Sequence, residues 1–249
     1  MRKSAVITFQ ERDFKGSRLR CLLLTHRPRT AVAASLSALV APHATVTPND
    51  LWAPDGLCNP DEAQLDTTPG FLTPPEQAIL TPWWLVHTQR ANTPNWDLAS
   101  TCQIGEKRGL ILIEAKAHEG ELKADGCGSK NPDNQRQIAA AIADANVGWN
   151  ALGPGFALSA TSHYQLSNRF SFAWKLASMG IPVVLIYLGF LHADEMKPGT
   201  ILATDAQWDA CVRKKASGIV STGVWGSTYS VGGTPLTVLL RSTHVGIHA

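Results

Sequence analysis

The most strongly patterned part of the chain is a run of four apolar residues at 110–113. Such a run, behind a turn at 107–109, predicts a strand. Because strand side chains alternate between faces, Glu114, Lys116 and His118 should extend from one side of this strand. A strand this apolar belongs in a sheet that is covered on both faces. Its end therefore places charges where they need a partner, a metal or a substrate.

The other apolar patterns predict helices and strands in alternation. Thr73 and Glu76 have capping-box spacing, Thr204 caps a later helix, and prolines make 42–75 a long connection. This order predicts an α/β fold with a mixed sheet in a single domain. The predicted helices span 30–39, 73–90, 134–146 (ended by glycines at 148–155) and 162–178, with another from 205. The further strands span 19–25, 181–188 (central), 219–225 and 236–240.

Composition narrows the class of protein only slightly. The formal net charge of the 249 residues is +2, so bulk charge indicates no particular partner. Lys and Arg cluster in residues 1–29, a basic arm that is either a nucleic-acid contact or a solvated surface. Five scattered cysteines without a C-x-x-C motif argue against a disulfide framework or a cysteine zinc site, and favour a cytoplasmic setting. No apolar run is long enough to span a bilayer.

Asp97, Glu114 and Lys116 are the candidate catalytic residues. An antiparallel hairpin would bring Asp97 beside Glu114, and the two carboxylates with the backbone carbonyl of Ala115 would offer oxygen ligands to Mg²⁺ or Mn²⁺. Such a metal polarises a phosphodiester and lowers the pKa of an attacking water. Lys116 would orient that water or stabilise the added charge on phosphorus.

The stretch from Pro94 to Lys116, PNWD…EAK, resembles the PD-(D/E)xK motif of the restriction-endonuclease-like nucleases. It departs from that motif because Asn95 and Trp96 separate Pro94 from Asp97. The resemblance implies a restriction-endonuclease-like three-layer core, with helices flanking a mixed central sheet, over about residues 73–191. The basic arm and proline-rich connection (1–72) and a C-terminal helix and strands (199–249) would complete the single domain. It also implies that Asp97 and Glu114 bind the metal and that Lys116 is the catalytic lysine.

Four further residues are accessory candidates. Glu76 is the acidic residue on the preceding helix, although its capping-box position explains it without catalysis. His118 shares the catalytic face and could contact a phosphate or a second metal, or simply bond to backbone. Ser129 and Lys130, in the glycine-containing loop at 125–131, are candidate contacts to a nucleic-acid backbone or ordinary residues of a flexible turn.

These observations predict a divalent-metal-dependent nuclease that acts on nucleic acid, with DNA the expected substrate. Cleavage of both strands of a duplex implies either a homo-oligomer or a nicking enzyme. The first alternative is a catalytically inactive protein of the same fold that binds nucleic acid or has a structural role. The second is an unrelated α/β enzyme in which Glu114 and Lys116 form only a salt bridge.

Overall fold

The computed structural model describes residues 15–89, 91–122 and 125–247, which form six α-helices and eight strands. The helices are α1 (Gly16–Thr25), α2 (Arg29–Val40), α3 (Pro74–Trp84), α4 (Pro132–Leu152), α5 (Tyr164–Ser178) and α6 (Asp205–Ala216). The strands are β1 (Trp52–Ala53), β2 (Ala63–Gln64), β3 (Asn95–Trp96), β4 (Leu98–Ile104), β5 (Lys107–Lys116), β6 (Val183–Phe190), β7 (Ser227–Val231) and β8 (Thr234–Thr243).

A six-stranded mixed sheet with strand order β1-β4-β5-β6-β8-β7 forms the centre of the fold. Strands β5, β6 and β8 are parallel neighbours, whereas β1 and β4 on one side and β7 on the other pair antiparallel. Strand β1 comes from the proline-rich connection, so this segment contributes to the same sheet as the central strands. The short strands β2 and β3 pair with each other in a separate two-stranded sheet.

The two faces of the sheet bury different residues of β5. Leu110 and Leu112 pack with residues of α3, α4, α5 and α6. Ile111 and Ile113 pack instead with residues of α1 and α2. The predicted alternation along this strand is therefore confirmed, and so is the three-layer α/β class, with helices on both faces of a mixed sheet.

Strand β6 lies at the centre of the sheet, as its apolar sequence predicts. All eight of its residues are buried, because it has a strand on each side and helices over both faces. Two predicted helix starts are also confirmed. Thr73 and Glu76 form a capping box at α3, and the Thr204 hydroxyl accepts a hydrogen bond from the N–H of Gln207 at the start of α6.

The predicted strand at 19–25 is wrong, because these residues lie in α1. A short apolar run does not by itself distinguish a strand from a buried helix. Here Gly16, Arg20 and Leu24 are buried at a spacing of four residues, which is helical. The guanidinium of Arg20 bonds both carboxylate oxygens of Glu195, so part of the predicted basic arm is buried. Residues 1–14 of that arm lie outside the described residues.

The structure differs from two predicted boundaries, those of the β4–β5 hairpin turn and of the helix predicted at 134–146, which is α4. The hairpin turn is at Gly105 and Glu106 rather than 107–109, and Gly105 takes the left-handed conformation with φ +58°. Helix α4 continues through Gly148 instead of ending there. A side chain at Gly148 would meet the indole of Trp174, since a Cβ would lie 2.1 Å from it. This glycine therefore permits close helix packing and does not break the helix.

Two other predicted elements are shorter or absent. Helix α3 ends at Trp84 and not near residue 90, because Leu85 is already extended. The predicted strand at 219–225 is wrong: Thr222–Val224 form a single 3₁₀ turn before β7 begins. Within the described ranges, no helix has the length and apolar character needed to cross a membrane.

Candidate active site

The hairpin of β4 and β5 brings Asp97 next to Glu114. Leu98, the first residue of β4, pairs with Ile113, so the residue before Leu98 lies beside the residue after Ile113. The Asp97 carboxylate accepts a hydrogen bond from the backbone N–H of Ala115, with 2.7 Å between Oδ2 and N. The hairpin predicted from the sequence therefore forms, and it fixes the Asp97 carboxylate against the strand that carries Glu114.

Lys116 extends from the same face of β5 as Glu114 and contacts both carboxylates. Its ammonium bonds to Oε1 of Glu114, and its Nζ lies 3.9 Å from Oδ2 of Asp97. Lys116 is 5% exposed and Glu114 is fully buried, so these charges meet away from bulk water. The structure thus places the three predicted catalytic side chains at one point, where β4 begins and β5 ends.

The fourth charged member of the cluster is Arg169, on α5. Its Nε donates to Oε2 of Glu114 at 2.5 Å, and its Nη2 donates to the backbone carbonyl of Asn95 at 2.6 Å. Sequence reasoning did not identify Arg169. The available signal was weak: a single arginine in the middle of an otherwise buried helix, 55 residues from its partner.

The electrostatics of the cluster keep Glu114 ionised. Burial raises the pKa of this carboxyl, but the positive charges of Arg169 and Lys116 outweigh burial, and the pKa falls below its ordinary value. Burial likewise lowers the pKa of Lys116, but the charges of Glu114 and Asp97 outweigh it and raise this pKa. Glu114 and Lys116 are consequently both charged around neutral pH.

Asp97 differs from Glu114 because its pKa is raised to about 7, first by burial and then by the charge of Glu114. The nearby Lys116 ammonium only partly opposes these two effects. Asp97 is therefore close to half protonated at neutral pH. It must lose this proton before it can bind a cation, because a metal ligand carboxylate is ionised.

The oxygen donors of the cluster are of the type that Mg²⁺ or Mn²⁺ prefers. Mg²⁺ is commonly held by one or two carboxylates and otherwise by water and substrate phosphate. Asp97 and Glu114 supply two carboxylates. The N–H and C=O of one strand residue point to the same side, so the carbonyl of Ala115 faces the side on which its N–H meets Asp97. The described residues contain no group of three His, Cys, Asp or Glu side chains arranged for a metal. These donors fit such a cation if the Lys116 ammonium moves from between the carboxylates.

The structure does not bring Glu76 or His118 into this cluster. The Glu76 carboxylate accepts the Thr73 N–H at 2.6 Å and is engaged in the capping box of α3. His118 follows the end of β5, and its Nδ1 accepts the N–H of Gly120 at 3.0 Å. Glu76 is therefore a helix cap, and His118 bonds to the backbone, as the non-catalytic alternatives for these two residues stated.

Ser129 and Lys130 lie in the loop that precedes α4. The carbonyl of Ser129 accepts a hydrogen bond from the side chain of Gln135, with 2.6 Å between O and Nε2. Lys130 is exposed. Their contact with a nucleic-acid backbone stays a prediction.

Glu121, which comes soon after β5, uses Oε2 to accept the N–H of Ala117 at 2.6 Å and so anchors the chain just beyond Lys116.

No family model matches the chain, and no significant match is found among curated proteins or solved structures. A function is therefore inferred from the geometry and chemistry of the site.

Proposed function

We propose that this protein is a divalent-metal-dependent nuclease that hydrolyses phosphodiester bonds in nucleic acid, with DNA as the expected substrate. The observation that carries the proposal is the meeting of Asp97, Glu114 and Lys116 at one point. Lys116 Nζ bonds Glu114 and lies 3.9 Å from Asp97. Two carboxylates and an ammonium at the end of a buried strand carry a desolvation penalty that lowers the stability of the fold. A functional role for these charges accounts for their presence.

The arrangement of elements around the cluster supports a restriction-endonuclease-like assignment. Helix α3 precedes the hairpin, Asp97 lies at the start of β4, and Glu114 and Lys116 lie on β5. Helices α4 and α5 then lead to β6, which is parallel to β5. This order agrees with the three-layer core of a mixed sheet and flanking helices that the resemblance to PD-(D/E)xK nucleases implies. Fold resemblance alone does not establish an activity, so the site chemistry remains the principal support.

Each residue of the cluster has a definite role in the proposal. Asp97 and Glu114, with the Ala115 carbonyl, would hold Mg²⁺ or Mn²⁺, which when bound polarises the phosphodiester and lowers the pKa of a bound water. Lys116, once its ammonium has moved off Glu114, would contribute a positive charge near the scissile phosphate. The charge that develops on the phosphate oxygens in the transition state would be stabilised by such a donor. The cytoplasmic setting indicated by the cysteines belongs to this proposal.

A second candidate function is supported by the charge balance of the cluster. Both oxygens of Glu114 are already bonded, Oε1 by Lys116 and Oε2 by Arg169. The two carboxylates thus face two cationic side chains. This balance is compatible with a catalytically inactive protein of the same fold that binds nucleic acid or has a structural role.

Nicking of supercoiled plasmid DNA separates the two candidates. The nuclease proposal predicts conversion to open-circular or linear DNA in Mg²⁺ or Mn²⁺ and none in EDTA. Lys116→Ala should reduce the rate by at least about a hundredfold, since loss of one donor to the developing charge costs about 10²–10³ in rate. Lys107→Ala is the matched control, because Lys107 is exposed at the opposite end of the same strand. Absence of cleavage of single- and double-stranded DNA and RNA by the purified wild-type protein would favour the inactive candidate.

A further inference from the structure

Arg169 occupies an unusual position for an arginine. It lies near the middle of α5, within the consecutive buried residues 167–173, and it is only 4% exposed. A guanidinium in such a place is costly unless its donors are satisfied. It lies in the N-terminal half of α5, and the dipole disfavours positive charge at the N-terminal end of a helix, so interaction with the helix dipole does not explain it.

Each nitrogen of the guanidinium donates one hydrogen bond, and together these bonds join separate parts of the candidate active site. Nε bonds Glu114 Oε2 at 2.5 Å on β5, and Nη2 bonds the Asn95 carbonyl at 2.6 Å on β3. Nη1 donates to Asn168 Oδ1 at 3.0 Å, which holds the group from its own helix. The Cζ atom of Arg169 lies 4.5 Å from the centroid of the Trp96 ring, so the guanidinium also makes a cation–π contact with an aromatic side chain.

These contacts define which oxygen of Glu114 is available. Oε2 is fixed by Arg169, which leaves Oε1 on the side of Lys116 and Asp97. The same guanidinium holds the backbone of Asn95, two residues before Asp97. One rigid group therefore sets the position of Glu114 and of the strand that leads into Asp97.

We propose that Arg169 is a positioning residue of this site, which holds Glu114 and the Asn95 backbone so that Glu114 Oε1 and the Asp97 carboxylate converge on one divalent cation. This inference rests on the proposed nuclease function. In this role Arg169 acts through the directions of its hydrogen bonds to Glu114 and Asn95, and not merely through its positive charge. A bare positive charge would repel the cation, whereas the planar fork positions its ligands.

The variant Arg169→Lys separates geometry from charge. Lysine keeps the charge but presents a single ammonium, which cannot reproduce three directed donors in one plane. The measurement is Mn²⁺ affinity of the full-length protein by electron paramagnetic resonance, beside kcat and KM for plasmid nicking. We expect R169K to bind Mn²⁺ about 10- to 100-fold more weakly, as is typical when a residue that orients a metal ligand is changed. The loss should appear in kcat at saturating DNA, with KM for DNA little changed.

Arg20→Lys is the matched control. Arg20 is another buried arginine, 1% exposed, that bonds both oxygens of a glutamate, Glu195. It lies on α1, in the opposite helical layer. R20K should change thermal stability comparably but leave Mn²⁺ affinity at the wild-type value.

The outcomes are distinguishable from failure of the proposed function. If R169K is folded and binds Mn²⁺ as tightly as the wild type, this inference is overturned while the nuclease proposal stands. If the wild type neither cleaves nor binds Mn²⁺, the nuclease proposal is overturned and this inference falls with it. If R169K does not fold, Asn168→Ala decides, because it removes one anchor of the guanidinium. N168A should weaken Mn²⁺ binding by about twofold to tenfold, and unchanged affinity would overturn the inference.

Discussion

Asp97 Oδ2 accepts the backbone N–H of Ala115 at 2.7 Å, and this bond fixes the carboxylate beside Glu114 in the hairpin of β4 and β5. The bond satisfies only one acceptor position of Asp97. Burial and the charge of Glu114 still raise the Asp97 pKa to about 7. The two carboxylates of the site therefore differ: Glu114 is held ionised by two cations, and Asp97 exchanges its proton near neutral pH.

The free energy of unfolding should decrease as the pH rises from about 4 to about 7, because Asp97 loses its proton more readily in the unfolded state. Its pKa is about 7 in the folded protein against an ordinary value of 3.8, so over this range the folded state binds more protons than the unfolded state. The contribution of Asp97 to the free energy of unfolding is fully present below pH 4 and is lost as the pH rises to 7. The full effect is at most about 4 kcal/mol, at 1.36 kcal/mol for each pH unit between the two pKa values.

Asp97→Asn should remove this dependence, because asparagine is neutral at every pH and can still accept the Ala115 N–H. The measurement is urea unfolding of the wild type and D97N at pH 5 and pH 8. D97N should gain stability relative to the wild type at pH 8 and be nearer to it at pH 5. A difference between the two proteins that does not change with pH would contradict the raised pKa.

Glu114→Gln should destabilise the protein by about 3–5 kcal/mol, the usual cost of removing one partner from a buried ion pair. Glutamine leaves Lys116 and Arg169 buried with much less compensating charge. Urea unfolding at pH 7 measures the loss. Glu106→Gln, in the exposed hairpin turn, is the control and should change stability by no more than about 0.5 kcal/mol. Equal stability of E114Q and the wild type would show that the buried charges do not depend on one another.

Sequence patterns predicted the part of the site that depends on strand geometry. Glu114 and Lys116 are two residues apart on one strand, so their shared face follows from alternation alone. The position of Asp97 followed from a hairpin, although the turn lies at Gly105 and Glu106 and not at 107–109. Alternation within one strand thus placed Glu114 and Lys116, and antiparallel pairing of β4 with β5 placed Asp97.

Arg169 could not be predicted in the same way. Its contact with Glu114 depends on how α5 crosses the sheet, and no spacing within the helix indicates which strand lies beneath it. The strand predicted at 19–25 was wrong for a related reason. Whether an apolar run of that length is helical or extended depends on the surface it packs against, here the face of β5 opposite Glu114.

Gly148→Ala should destabilise α4 despite the higher helix propensity of alanine. A Cβ at position 148 would lie 2.1 Å from the Trp174 indole, so the indole or the helices would have to shift. Overpacking of this kind costs about 1–3 kcal/mol. Thermal unfolding measures it, with Gly153→Ala as the control, because a Cβ there meets nothing within 4 Å. A G148A protein as stable as G153A would contradict the close packing of α4 against α5.

In the proposed nuclease, Asp97 and Glu114 hold a divalent cation, and the Lys116 ammonium moves away from Glu114 to admit it. A crystal of the wild-type protein soaked in Mn²⁺ at pH 8, where Asp97 is ionised, tests this claim by anomalous scattering. We predict an anomalous peak roughly 2.0–2.3 Å from an oxygen of Asp97 and from Oε1 of Glu114, with the Lys116 ammonium moved away from Glu114. No peak between these two carboxylates in a crystal soaked at millimolar Mn²⁺, with Lys116 still bonded to Glu114, would contradict it.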